Sequence, residues 1–392
     1  MDVMPSIDPS AQGERAVTAP VSPENTLTAV ALPEEPLDFP LTWFLHSAPA
    51  SLQYRAIIDV ARLQLPASSG ISLLPLASAD AISLALRQRA DGTWSGTMLT
   101  TPAPRGAPFE GVGTILAARR LVEYGWDRES PPLAHARRIL FRLLAEDEDP
   151  NFLFELAPKG KPEPEYTRYG RRVLREAATA ALAQAGYEND PRLRGAARRL
   201  LERTDNFLRG PLAEKPFVRA GNQHVLSPEA APPSLHLLTM LAYMPLFRSE
   251  HFDVLDRLYA FVSQPLPRQA AASVVAGRIV AQPHLVLGDP LPHRNAVDAD
   301  IPAALHWLEL AARLGFLRRN EGWMRLYERF LDERDERALW HPRRGTMMPR
   351  AANPFTWPGF PLSGTPGDDR SADVTFRLGV IARHLGRPIA LA

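Results

Sequence analysis

The chain has 392 residues, 45 Lys and Arg against 44 Asp and Glu, a formal net charge of +1, and no cysteine. Balanced charge with scattered basic residues gives no nucleic-acid footprint, and a chain without thiols forms neither disulfides nor thiolate zinc sites. Hydrophobic residues at 45% are ample for a large core, yet no run approaches the ~18 apolar residues of a membrane helix.

Residues 1–39 are rich in Pro, Ser, Ala, Glu and Thr without helical period, so they are expected to be a disordered tail before one domain over 40–392. Asp2 and Asp8 stand where a signal peptide carries basic charge and an apolar block, which predicts a cytoplasmic protein. Of the basic residues only Lys159, Lys161 and Lys215 are lysines, a skew that GC-rich bacterial codon usage accounts for.

The first amphipathic helix is expected over Ser51 to Leu63, and a looser one over Ser78 to Gln88. Glu110 to Tyr124 with Pro131 to Ala145, and Arg171 to Ala185 with Pro191 to Thr204, form two helical hairpins. Pro, Gly, Asn and Gln then mark a long loop from Phe207 to Pro233. Ser234 to Phe247 and Glu250 to Val262 repeat the hairpin, and Gln269 to Val280 reads as an Ala- and Val-rich helix. Asp300 to Leu314 pairs with Glu321 to Glu333, a second long loop spans Arg343 to Asp369, and Ala372 to Leu385 is the last helix.

The hairpins are copies of one unit. Gly125 and Gly186 each precede the second Arg of a pair, Arg138 and Arg199, by 13 residues, so two copies superpose at a period of 61. Glycine after a helix supplies the left-handed C′ residue, and the aromatic behind it, Trp126, Tyr187 or Phe316, packs back on the last turn. Counting such stops at Leu63, Gly125, Gly186, Met244, Gly315 and Gly386 gives six hairpins. The first helix of each pair is rich in small residues, which suits a crowded inner position.

Gln88, Gly92 and Trp94 stand as Q-x-x-x-G-x-W, with looser copies from Glu146 to Phe152, Glu202 to Phe207 and Glu333 to Trp340. With the six hairpins, this resembles the QW motif of the terpenoid cyclase and prenyltransferase proteins, the squalene-cyclase-like family. The resemblance covers residues 41–392 and implies an all-α fold, an α/α toroid of about six helical hairpins. It also implies a glutamine that caps a helix end, a tryptophan stacked across the link, and a central cavity for an apolar or amphipathic small molecule.

The family's D-x-D-D-T-A acid segment is matched by Asp298-Ala299-Asp300-Ile301-Pro302-Ala303, where Asp300 lies 15 residues before Gly315. By the resemblance Asp300, with Asp298 beside it, is the candidate acid; read from the residues alone, either is a helix N-cap before a proline. Tyr166, Tyr169, Arg171, His306 and Trp357 are candidate ligand contacts. His284, His293 and His306 have no i, i+4 spacing, and no metal or cofactor is expected. A carbohydrate-active toroid, with Tyr166, Asn222 and His224 at its mouth, and a non-catalytic helical scaffold are the alternatives; oligomeric state is not legible.

Overall fold

The computed structural model describes residues 30–64, 66, 69–94, 97–99, 113–145, 164–292, 301–341 and 371–392. The protein is mostly helical, with three two-stranded sheets among the described residues. After β1 (Leu37–Phe39) come α1 (Leu41–Ser47) and α2 (Ala50–Arg55), which runs on as a π-helical segment, Ala56–Ala61. A 3-10 segment, Ile71–Ala77, leads to α3 (Ala79–Leu86). The first two hairpins are α4 (Thr114–Glu123) with α5 (Pro131–Leu144), and α6 (Pro164–Gln184) with α7 (Pro191–Arg209). Strands β2 (Phe217–Ala220) and β3 (Gln223–Leu226) precede α8 (Leu235–Ala242), α9 (Pro245–Arg248) and α10 (Phe252–Val262). Strands β4 (Ala272–Val275) and β5 (Arg278–Ala281), α11 (Ile301–Arg313), α12 (Glu321–Asp332), α13 (Ser371–Leu385) and β6 (Ile389–Leu391) complete the order.

Burial divides the helices into two kinds. Every residue of α8 is buried, as are all of α11 except Ala303 and Arg313 and all of α13 except Arg383 and His384. A helix buried on all sides lies inside the protein. By contrast α7 buries one stripe, Leu193, Ala196, Ala197, Leu200, Leu201, Thr204 and Phe207, with charged residues opposite. Among the interior helices α4 packs on α6, α6 on α8, α8 on α11, α11 on α13, and α13 on α2 and the π-helical segment. The order returns to α4 because Arg55, at the end of α2, donates from Nη1 to the Glu123 carbonyl at 2.6 Å. Helices α5, α7 and α12 each pack against an interior helix, and α10 against α7.

Four glycine stops share one geometry. Gly125, Gly186, Gly315 and Gly386 have φ of 88°, 82°, 76° and 78°. In the first, the amides of Gly125 and Trp126 donate to Val122 and Leu121, and the same two bonds recur at the other three stops. These are Schellman turns, as the sequence predicts. The stop near Leu63 is made by Arg62 at φ 54°, with the Leu63 amide reaching back to Ile57 across the π-helical turn.

The Gln88 turn is a built joint. Gln88 Nε2 donates to the carbonyls of Gly92 and Pro132 at 3.0 and 2.9 Å, tying the turn to the first turn of α5. Buried Trp94 donates from Nε1 to Leu84 O at 2.8 Å, and its amide donates to Thr114 Oγ1, at the start of α4, at 3.0 Å. Trp340 repeats this 246 residues on, its amide donating to Thr375 Oγ1 of α13 at 2.9 Å and its Nε1 to Glu333 at 3.1 Å.

Three expectations are corrected. Residues 30–39, expected in the tail, are part of the fold: the Val30 amide donates to Arg318 O at 2.7 Å, and β1 pairs parallel with β6 while burying Leu37 and Phe39. The expected helix over Gln269 to Val280 is a hairpin, since Ala276 and Gly277 adopt φ of 50° and 72° between β-branched Val274, Val275, Ile279 and Val280. The stretch read as a loop after Phe207 likewise holds the antiparallel β2–β3 pair. Among the described residues no helix is long and apolar enough to cross a membrane.

Candidate functional site

Five interior helices, and Tyr243 at the end of the sixth, contribute to one buried polar network. Arg377 of α13 donates to Glu123 of α4 at 2.5 Å and to Glu309 of α11 at 3.0 Å. Glu123 also accepts from Arg55 of α2 at 3.3 Å and from Gln184 of α6 at 2.5 Å. Glu309 accepts from Arg313 at 2.9 Å and from the hydroxyl of Tyr243, behind α8, at 3.5 Å, while the Arg313 guanidinium lies 4.2 Å from the Tyr243 ring centroid. Arg119, one turn before Glu123, donates from Nε to Gln184 Oε1 at 2.7 Å.

The electrostatics follow from burial and pairing. Burial alone would raise the Glu123 and Glu309 carboxyls, but Arg377 acts on both, Arg55 on Glu123 and Arg313 on Glu309, and the guanidiniums hold both carboxyls well below the usual range. The histidines go the other way: burial and then Arg119 push His306 down to about 3. His236 is also driven well down, by burial, His284 and Arg119. Near neutrality the carboxylates are therefore charged and these imidazoles neutral.

A cavity of about 470 Å³ lies over the glycine-turn end of the network, with Arg55, Glu123, Gln184, Tyr243 and Arg313 in its wall beside Tyr54, Asp59 and Trp126. Toward the other end of α6 and α8 lies a second polar group. Ser234 donates to Glu176 at 2.8 Å, the rings of His236 and His284 stack with centroids 5.8 Å apart, and Tyr169 donates to Gln282 Oε1 at 3.2 Å. The β4–β5 hairpin leads directly into Gln282 and His284.

Of the residues singled out from sequence, Tyr166 and Tyr169 meet edge to face at 6.3 Å, and His306 is buried on α11 near Arg119 and Glu309. Arg171 is half-buried with its Nε unbonded and joins none of these contacts. Asn222 and His224 lie exposed on the β2–β3 hairpin, apart from the network. Asp298, Asp300, His293 and Trp357 lie outside the described residues. Among the described residues no three His, Asp or Glu side chains converge as a metal site.

The network itself escaped sequence reasoning, although a signal was present. Glu123, Gln184, Arg313 and His384 each stand two residues before a glycine stop. Arg119 and Glu309 stand six before, and His306 and Arg377 nine before, which sets one inward stripe on each helix. No protein-family model matches the chain, and neither a curated protein nor a solved structure matches it.

Proposed function

We propose that the protein is an α/α toroid, a divergent squalene-cyclase-like member, that holds an amphipathic small molecule along its axis. The observation that carries this is the convergence of polar side chains from α2, α4, α6, α11 and α13, and from Tyr243 at the end of α8, on one buried network, with those of α4, α6, α11 and α13 at matching distances from their glycine stops. Six helices in cyclic contact make an inner ring, and the polar stripe is its lining. Small-molecule sites are typically cavities of about 300 to 1,000 Å³, a range that includes the one at the glycine-turn end.

Binding, rather than proton-transfer chemistry, suits these groups. A general acid or base works best with a pKa near the ambient pH, whereas Glu123 and Glu309 are locked ionised and His306 and His236 locked neutral. Asp300 as a cyclase acid belongs to the same reading and lies outside the described residues. A second reading, a carbohydrate ligand, is favoured by the lining of Tyr54, Trp126, Tyr243, Arg55 and Asp59 in the described cavity, because sugars bind to aromatic faces rimmed by charged hydrogen-bonding groups.

Native mass spectrometry of the chain purified from its own host tests the proposal. A releasable adduct of defined mass is expected, a lipid-like mass supporting the first reading and a saccharide mass the second. The bare chain mass in every preparation would overturn both.

A further inference from the structure

Among the described residues Arg119 is a buried cation with no anion of its own. The residue is 3% exposed, in the middle of α4, and its one hydrogen bond among the described residues runs from Nε to the neutral amide oxygen of Gln184 at 2.7 Å. The other guanidiniums of the network are paired: Arg55 with Asp59 and Glu123, Arg313 with Glu309, Arg377 with Glu123 and Glu309. The carboxylate that acts on Arg119 is Glu123, and that group is already engaged by Arg377, Arg55 and Gln184. Burying a guanidinium without a paired anion is costly, and Arg is the side chain best shaped to grip a planar or tetrahedral oxyanion.

The groups around Arg119 fit an oxyanion. His236 of α8 and His306 of α11 both feel its charge, and both rings are neutral near pH 7. Within α6 and α8 the buried residues include apolar Ala177, Ala178, Ala180 and Ala181, and Leu237, Leu238 and Leu241.

We infer that Arg119 binds the carboxylate or phosphate group of a small molecule held inside the helical ring. This rests on the small-molecule reading above and names the ligand class: an oxyanion, carried on an apolar body or free.

The test uses the full chain and follows its thermal midpoint, at constant ionic strength set with sodium chloride, during titration with inorganic phosphate, acetate, octanoate and octanol. A bound ligand raises the midpoint saturably. Wild type should respond to at least one of the oxyanions, Arg119→Met should lose about tenfold to a hundredfold in affinity for it, and Arg119→Lys should keep part of the response. A response to octanoate alone identifies an anionic head on an apolar body; an equal response to phosphate or acetate identifies a free oxyanion, and either supports the inference. Should Arg119→Met fail to fold, saturable phosphorus-31 line broadening of phosphate by wild type, or saturable octanoate protection not reproduced by octanol, decides for it. Equal oxyanion responses in wild type and Arg119→Met, or no oxyanion response at all, overturn it. Octanol stabilising both proteins alike while the oxyanions do nothing would leave the small-molecule reading standing and remove only the anion site.

Discussion

Arg377 Nη2 lies 2.5 Å from Glu123 Oε2 although 254 residues separate them in the chain. The pair joins the last interior helix to the second, and Arg377 extends the bridge to Glu309 on the fifth. Removing one partner of a buried pair leaves an uncompensated charge in a low-dielectric interior. Arg377→Met should therefore lower stability by about 3 to 5 kcal/mol, read from urea denaturation midpoints. A loss under about 0.5 kcal/mol, ordinary for a surface substitution, would mean that the network is solvated.

Stability should fall on mild acidification, and the buried histidines set the window. Unfolded histidine has a pKa near 6.5, whereas His306 is held at about 3 and His236 also well down. Below about pH 6 the unfolded chain binds protons that the folded one refuses, so stability drops by about 1.4 kcal/mol per pH unit for each such histidine. The depressed carboxyls Glu123 and Glu309 contribute stability above about pH 4.3 that is lost only below it. Urea denaturation at pH 7 and pH 5 should show the drop, and His306→Leu should reduce its slope; equal slopes would remove His306 as a cause.

Trp94→Ala should cost about 3 to 5 kcal/mol, the range for truncating a buried large aromatic, because it also strands the Leu84 carbonyl that the indole satisfies. Gln88→Ala should cost less, about 1 to 2 kcal/mol for two lost carbonyl contacts. Denaturation midpoints in the reverse order would break the parallel with the QW motif.

Two glycine stops with similar φ should respond differently to alanine. A Cβ on Gly315 meets nothing within 4 Å, so Gly315→Ala carries only the left-handed backbone cost of about 1 to 2 kcal/mol. A Cβ on Gly125 would sit 2.5 Å from the Tyr54 ring, on the contact between α2 and α4. Gly125→Ala should thus lower the thermal midpoint further than Gly315→Ala; equal shifts would mean that Tyr54 swings away freely.

The helix stops were legible because a left-handed backbone position selects glycine locally, and Gly125, Gly186, Gly315 and Gly386 announce it within their own turns. Trp94 was legible for the same reason: Gln88, Gly92 and Trp94 are one local joint. The β4–β5 hairpin was not, since the Ala-rich flank obscured the turn at Ala276 and Gly277. Least legible was the network. Arginine is abundant and mostly on the surface, so Arg119 and Arg377 read as ordinary helix arginines until a partner some 60 to 250 residues away gave each a place.

Closure of the helical ring is the central claim, and one crosslink tests it most directly. Leu37 in β1 and Ile389 in β6 are register partners, bringing the strand before the first interior helix beside the strand after the last, and the protein has no native cysteine to interfere. Backbone positions so paired lie within disulfide reach. Leu37→Cys combined with Ile389→Cys, oxidised at low protein concentration, should give an intramolecular crosslink in nearly every folded molecule, seen by non-reducing gel and intact mass. A folded protein whose two thiols stay free, or pair only between molecules, would contradict ring closure.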